Sequence, residues 1–108
     1  MSINFKEVFD GLKKDIASLA KKTFADYSKE AKKDGQKILD VLKTQLQKYA
    51  EQLINGELSQ KEFKDLILGQ KAELEMVALK RAGITLVEAD KFKADVLNLI
   101  SNTIIGLV

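Results

Sequence analysis

The chain has 108 residues, a formal net charge of +2, and no cysteine, histidine or proline. These counts exclude a disulfide framework, zinc sites of the usual kind and nucleophilic catalysis by Ser-His or Cys-His pairs. Its composition, 45% hydrophobic and 31% charged and rich in helix formers such as Leu, Lys and Ala, indicates one folded all-α domain.

The first half of the chain is organised by an apolar step of eleven residues. Counting in elevens reaches ten positions, all apolar or aromatic: Phe5, Ile16, Tyr27, Ile38 and Tyr49, then Phe9, Ala20, Ala31, Leu42 and Leu53. Eleven residues make three turns of about 3.67 residues, so both series fall on one stripe of a nearly straight helix. This eleven-residue (hendecad) pattern is similar to that of exchangeable apolipoproteins and of the stalk subunit of rotary ATP synthases. The similarity is one of periodicity alone.

Helix starts and ends are marked by local signals. Asn4, Ser59 and Thr85 are each followed three residues later by a glutamate, which is the spacing of a capping box. Gly56 and Gly83 are placed to end helices as left-handed C-terminal caps. The predicted helices run over about 4–55, 59–82 and 86–106.

A fourth helix start within the first of these helices is only weakly indicated. Thr23 and Asp26 fit a loose capping pattern, and Gly35 costs about 1 kcal/mol in a helix interior, which is not enough to end a helix. The preferred interpretation is therefore a long N-terminal helix packed against a C-terminal helical hairpin in an oligomeric helical bundle. The alternative is a compact four-helix bundle with a break near 26–35.

The preferred interpretation leaves part of the first helix uncovered. That helix would be about 78 Å long, and the second would reach only about 36 Å back along it. The sequence therefore predicts a single domain, 1–108, with a protruding arm over 1–29 and a three-helix core over 30–108. Because bare apolar side chains are costly in water, we expect the stripe of the arm to be an interface. The predicted interface residues are Phe5, Val8, Phe9, Leu12, Ile16, Leu19, Phe24 and Tyr27.

The predicted arm and the residues that follow it are rich in lysine. A lysine-rich amphipathic helix is typical of proteins that lie on anionic membranes, although a solvated helix face gives the same pattern. Specific nucleic-acid binding is not expected, because Arg81 is the only arginine. The predicted contacts for an anionic surface are Lys13, Lys14, Lys21, Lys22, Lys29, Lys32 and Lys33.

These patterns favour a non-enzymatic helical interaction or assembly protein. We expect self-association through the apolar stripe, with a dimer favoured because an antiparallel pair closes on itself, or binding to a helical protein partner. The alternative is a lipid- or membrane-surface-binding amphipathic protein. No catalytic residue, cofactor or metal site is predicted, since close carboxylates such as Glu73 and Glu75 point to different sides of a helix.

No targeting signal is predicted from the sequence. Its first residues do not show the basic-then-apolar order of a signal peptide, and no apolar run approaches about 20 residues. We therefore expect a cytoplasmic location, with peripheral attachment to a membrane as the alternative. No residue from Val96 to Val108 is charged, which predicts that the C-terminal end packs against other helices or a second protomer.

Overall fold

The structure is a computed structural model that describes residues 3–108 and contains α-helices and no β-strand within that range. The predicted all-α class is thus confirmed. Two 3-10 segments, Ala25–Tyr27 and Gly69–Glu73, interrupt the helical chain. The Cα positions span 43 × 25 × 19 Å, the dimensions of a compact bundle. The α-helices are α1 (Phe5–Thr23), α2 (Ser28–Ile54), α3 (Gln60–Leu68), α4 (Val77–Arg81) and α5 (Leu86–Ile105).

The continuous first helix predicted over about 4–55 is wrong. The alternative, a compact bundle with a break, is the arrangement found, but the break lies at 24–27, at the edge of the predicted 26–35. Phe24 leaves the helical conformation (φ −130°, ψ 81°), and its N–H donates the last bond of α1 to the carbonyl of Ala20 at 2.9 Å. The 3-10 segment Ala25–Tyr27 then turns the chain, so that α1 lies antiparallel along α2. We call residues 24–27 the corner.

Burial of apolar surface explains why the helix breaks. Phe9, Leu12 and Ile16 are almost completely buried against α2 and α5. At about 1.5 to 3 kcal/mol each, their burial outweighs the few helical hydrogen bonds lost at the corner. Residues 5–23 therefore pack on the rest of the bundle instead of protruding as an arm, and α1 joins the core predicted for 30–108.

The helix predicted over 59–82 is also interrupted, so its continuity was a wrong prediction. After α3 comes a 3-10 segment, and Leu74 then adopts an extended conformation (φ −105°, ψ 136°) before α4 begins. A regular helix would place the apolar residues of this stretch on two faces. The irregular backbone instead brings Leu74, Met76 and Leu79 into the same core.

The three predicted N-caps are confirmed, and at Ser59 the side chain of Glu62 also completes the capping box by accepting from the Ser59 N–H at 3.0 Å. The side chains of Asn4, Ser59 and Thr85 each accept a hydrogen bond from the backbone N–H three residues later, at 3.3, 3.1 and 3.2 Å. Gly56 and Gly83 both have positive φ, 78° and 91°, as left-handed C-terminal caps require. Local signals therefore placed the turns at these positions correctly.

Helix α5, which agrees with the prediction over 86–106, packs against α1, α2 and α3. Phe92 is fully buried in it, and its ring meets the ring of Phe24 edge to face with centroids 5.5 Å apart. The uncharged second half of the helix buries Val96 and Ile100 completely. None of the helices in residues 3–108 is long and apolar enough to cross a membrane.

Candidate functional site

The apolar stripe predicted as an interface lies mostly inside the bundle. Phe9, Leu12 and Ile16 belong to the core, whereas Tyr27 at the corner keeps 39% of its surface exposed. The remaining members are half-buried against the core: Phe5, Val8, Leu19 and Phe24. In this fold the stripe is therefore not a free surface, except at the corner.

The seven lysines predicted to contact an anionic surface are all exposed, but they do not form one surface. Lys13 lies in a cleft between α1 and α2, and Lys22 lies in a shallow cleft between the end of α1 and α5. Lys29 and Lys33 line a groove between α2 and α4. Of the predicted contacts, the structure brings only these last two together in a single concave site.

The groove between α2 and α4, which we call the basic groove, has a volume of about 590 Å³. Lys29, Lys33 and Lys37 line its α2 side, because residues four apart recur on one face of a helix. Arg81, in the last turn of α4, lines the opposite side. The remaining lining residues are Glu30, Asp34, Val77, Ala78 and Ala82.

Asp34 fixes the shape of the basic groove. It is 3% exposed, and its two carboxylate oxygens accept hydrogen bonds from the backbone N–H groups of Ala78 at 3.0 Å and Leu79 at 2.8 Å. The first turn of a helix has N–H groups without helical partners and favours negative charge. A carboxylate from α2 thus caps α4, which has no side-chain cap of its own, and holds Arg81 across from the lysines.

A buried lysine holds the other side of the same interruption. The Nζ of Lys93, on α5, donates a hydrogen bond of 2.7 Å to the carbonyl of Leu74 and lies 3.5 Å from a carboxylate oxygen of Asp90. An irregular backbone leaves carbonyl groups without ladder partners, and an ammonium group satisfies one of them here. The segment between α3 and α4 is therefore anchored to both α2 and α5.

The corner and the turn from α4 to α5 lie at the same end of the bundle. The end of α4 flanks Lys29 and Lys33, and the first turns of α5 flank Thr23 and Phe24 in neighbouring clefts. Three of the large apolar side chains exposed to solvent occur at this end: Tyr27, Leu86 and Val87, the last with 80% of its surface exposed. We call these three residues the apolar end.

Positive charge surrounds the apolar end. The two stretches 20–33 and 79–91 contain eight lysines and arginines and four acids, a net charge of +4. Since the whole chain carries +2, the remaining residues carry −2. The positive charge of the molecule is therefore concentrated in the stretches that contain Tyr27, Leu86 and Val87.

Sequence reasoning missed several residues of these surfaces. Arg81 and Asp34 could be placed in the groove only once the interruption before α4 was known, because a continuous helix over 59–82 would orient Arg81 differently. The spacing of Lys29, Lys33 and Lys37 was visible in the sequence and could have identified one side of the groove. Nothing in the sequence distinguished Val87 from a buried valine.

Cationic and apolar side chains make up these surfaces. Residues 3–108 contain no group of three or more carboxylate, histidine or cysteine side chains placed to hold a metal ion. No protein-family model matches the chain, and neither a curated protein nor a solved structure matches it. Function is therefore argued from the geometry of the chain alone.

Proposed function

We propose that this chain is a non-enzymatic helical assembly protein that self-associates by exchanging α1 between two copies. In the exchanged dimer the corner straightens, α1 and α2 become one helix, and the apolar face of α1 packs on α2 and α5 of the second copy. The observation that carries the proposal is the unbroken phase of the eleven-residue step on both sides of the corner.

The apolar stripe keeps its register through the corner although the helix does not. Ile16 and Ile38 are buried on α1 and α2, and Tyr27 lies midway between them, eleven residues from each. A chain that only needed to turn at this point would have no physical reason to preserve the phase. A continuous helix over residues 5–54 does need it, because only then do α1 and α2 present one stripe.

In the closed bundle the backbone of the corner lacks the regular hydrogen bonds of an α-helix. Helix α2 begins with no side-chain cap. Within the corner, the N–H of Tyr27 donates to the carbonyl of Phe24 at 3.1 Å in 3-10 geometry, which is poorer than that of an α-helix. Straightening it would replace these poor interactions with regular helical hydrogen bonds.

Exchange costs little elsewhere, because each copy would recover from its partner the contacts that α1 makes in the closed form. Domain swapping of this kind is a low-cost route to a symmetric dimer. The two forms differ sharply in shape. The closed form spans 43 Å, whereas a continuous helix over 5–54 would be about 75 Å long.

The first test measures mass and shape after refolding at micromolar and at millimolar protein concentration. We expect a fraction of the millimolar sample to have twice the mass of the 12.1 kDa chain and a longest dimension above about 75 Å. Asp26→Ala, which raises the helix propensity of the corner, should increase this fraction. Asp15→Ala, the same change at an exposed site within α1, should leave it unchanged.

A crosslink identifies which copy supplies α1. The chain has no cysteine, and the side chain of Gln36 donates a hydrogen bond to the carbonyl of Lys13 at 3.3 Å. In a variant with both Lys13→Cys and Gln36→Cys, a short bis-maleimide crosslinker should join the two thiols within the closed monomer and between chains in the exchanged dimer. A chain that stays monomeric at every concentration, with only internal crosslinks, would refute the exchange.

A second candidate function, binding to an anionic membrane surface, is favoured by the apolar end. Exposed Tyr27, Leu86 and Val87 within a region of net charge +4 combine the two interactions that hold proteins at anionic bilayers, apolar insertion and electrostatic attraction. This candidate does not require α1 to leave the bundle. The cytoplasmic location predicted from the sequence stays a prediction under either function.

Vesicle binding tests the second candidate with a matched pair of variants. Val87 and Val41 are both exposed, at 80% and 59%, but Val41 lies on α2 away from the apolar end. Val87→Ser should weaken binding to phosphatidylserine vesicles about tenfold, because burying a valine is worth roughly 1.5 kcal/mol. Val41→Ser should have no effect. Absence of binding at low salt, or equal effects of the two changes, removes the candidate.

A further inference from the structure

We propose that the basic groove binds a ligand that carries two or more phosphate groups. The groove is built from α2 and α4, and α1 contributes no residue to it. The proposal therefore goes beyond self-association and stands or fails independently of it. It also differs from binding at the apolar end, because it requires a defined concave site instead of a general positive charge.

The spacing of the lysines favours an extended ligand. Consecutive members of Lys29, Lys33 and Lys37 are about 6 Å apart along the axis of α2, so the row is about 12 Å long. A ligand with phosphates spaced along the groove can contact the whole row without the lysine side chains having to converge on one point. Arg81 faces the row from α4, and its guanidinium group can bind phosphate oxygens in pairs. The site therefore matches two or more phosphates spaced along the groove.

The acids that line the groove do not cancel this charge. Asp34 is buried, and both of its oxygens already accept hydrogen bonds from α4, so its acceptor atoms are occupied although its negative charge remains. Four cationic side chains and two carboxylates leave the lining with a net charge of +2. Glu30, which is half-buried, is the other acid among the lining residues. The four cationic side chains that line the groove are all exposed and can turn toward a ligand.

The remaining lining gives the groove a shape that suits a small molecule. Val77, Ala78 and Ala82 form an apolar wall between the cationic residues. Ligand sites commonly have volumes of about 300 to 1,000 Å³ and combine apolar walls with a few charged groups, and the 590 Å³ of this groove falls in that range. An acidic peptide is the main competing occupant, and the test below includes it.

Titration calorimetry and amide chemical-shift mapping with tripolyphosphate, at physiological ionic strength, test the proposal. We expect saturable binding, with the largest shifts at Ala78, Arg81 and Ala82, and much weaker binding of inorganic phosphate. The double variant Lys33→Gln with Arg81→Gln should weaken tripolyphosphate binding at least tenfold. The control double variant Lys14→Gln with Lys48→Gln removes the same charge from exposed sites outside the groove and should change it less than twofold.

Further arms separate the sources of the phosphate groups. If vesicles containing a bisphosphorylated inositol lipid bind and tripolyphosphate displaces them, the groove recognises the phosphates themselves. If the vesicles bind without tripolyphosphate binding, and the groove variant abolishes this, the ligand is a lipid headgroup. Equal weakening by the groove and control variants, shifts spread over all lysine-rich surfaces, or tighter binding of a polyglutamate peptide than of tripolyphosphate would overturn the proposal.

Discussion

Replacing Asp34 with alanine is expected to destabilise the fold by about 3 kcal/mol, because two backbone N–H groups of α4 would lose a charged acceptor in a buried place. Asp34 is 3% exposed and bonds Ala78 and Leu79 at 3.0 and 2.8 Å. Urea unfolding followed by circular dichroism measures the loss. Amide hydrogen exchange at Ala78 and Leu79 locates it, since these two N–H groups should lose their protection first.

Two further variants make the Asp34 result specific. Asp34→Asn keeps an acceptor oxygen but loses the charge, so its effect should fall between the wild type and Asp34→Ala. Asp40→Ala removes an exposed acid from the same helix and should change the free energy of unfolding by less than about 0.5 kcal/mol. A loss for Asp34→Ala no larger than that for Asp40→Ala would contradict the cap across helices.

The second large effect is expected at Gly35, where the usual benefit of replacing a helical glycine is reversed. A Cβ atom at this position would lie 2.5 Å from the Cγ2 methyl of Ile16 and 3.6 Å from the ring of Phe92. Ile16 is β-branched and buried, so it cannot turn away. Overpacking typically costs 1 to 3 kcal/mol, and we expect Gly35→Ala to destabilise the fold by about 2 kcal/mol.

Gly11 supplies the matched control, because it lies within α1 with no atom close to an added Cβ. Gly11→Ala should stabilise the fold by about 1 kcal/mol, the ordinary gain in a helix interior. Equilibrium unfolding of both variants measures whether each change raises or lowers the free energy of unfolding. If Gly35→Ala were also stabilising, α1 would not pack as closely on α2 as the structure has it.

The same glycine explains how far the sequence could predict the fold. Caps depend on a few neighbouring residues, so Ser59, Thr85 and the two turn glycines were read correctly. The break at the corner depends instead on contacts between residues far apart, such as Ile16 with Gly35 and Phe24 with Phe92. From helix propensity alone, Gly35 only destabilises α2 slightly. In the structure, its missing side chain lets α1 pack closely on α2.

The candidate sites also divide into features that a local sequence pattern predicts and features that depend on contacts between distant residues. The lysine row of α2 is a periodic pattern and is legible from the sequence, because four-residue spacing repeats on a helix face. Arg81 and Asp34 line the same groove only because the helix is interrupted before α4. No local sequence pattern predicts that interruption. The exposed pair Leu86 and Val87 follows a capping residue and looks like the start of an ordinary amphipathic helix. Exposure of that kind is decided by the packing of the whole bundle.

The cap that Asp34 provides for α4 also has a consequence for the order of folding. A helix of five residues is far too short to form alone in water, so α4 depends on a carboxylate that lies 44 residues earlier in the chain. During synthesis from the N-terminus, α2 leaves the ribosome before α4 does. The acceptor is therefore already in place when the helix that needs it emerges, and a fragment that begins after α2 would lack it.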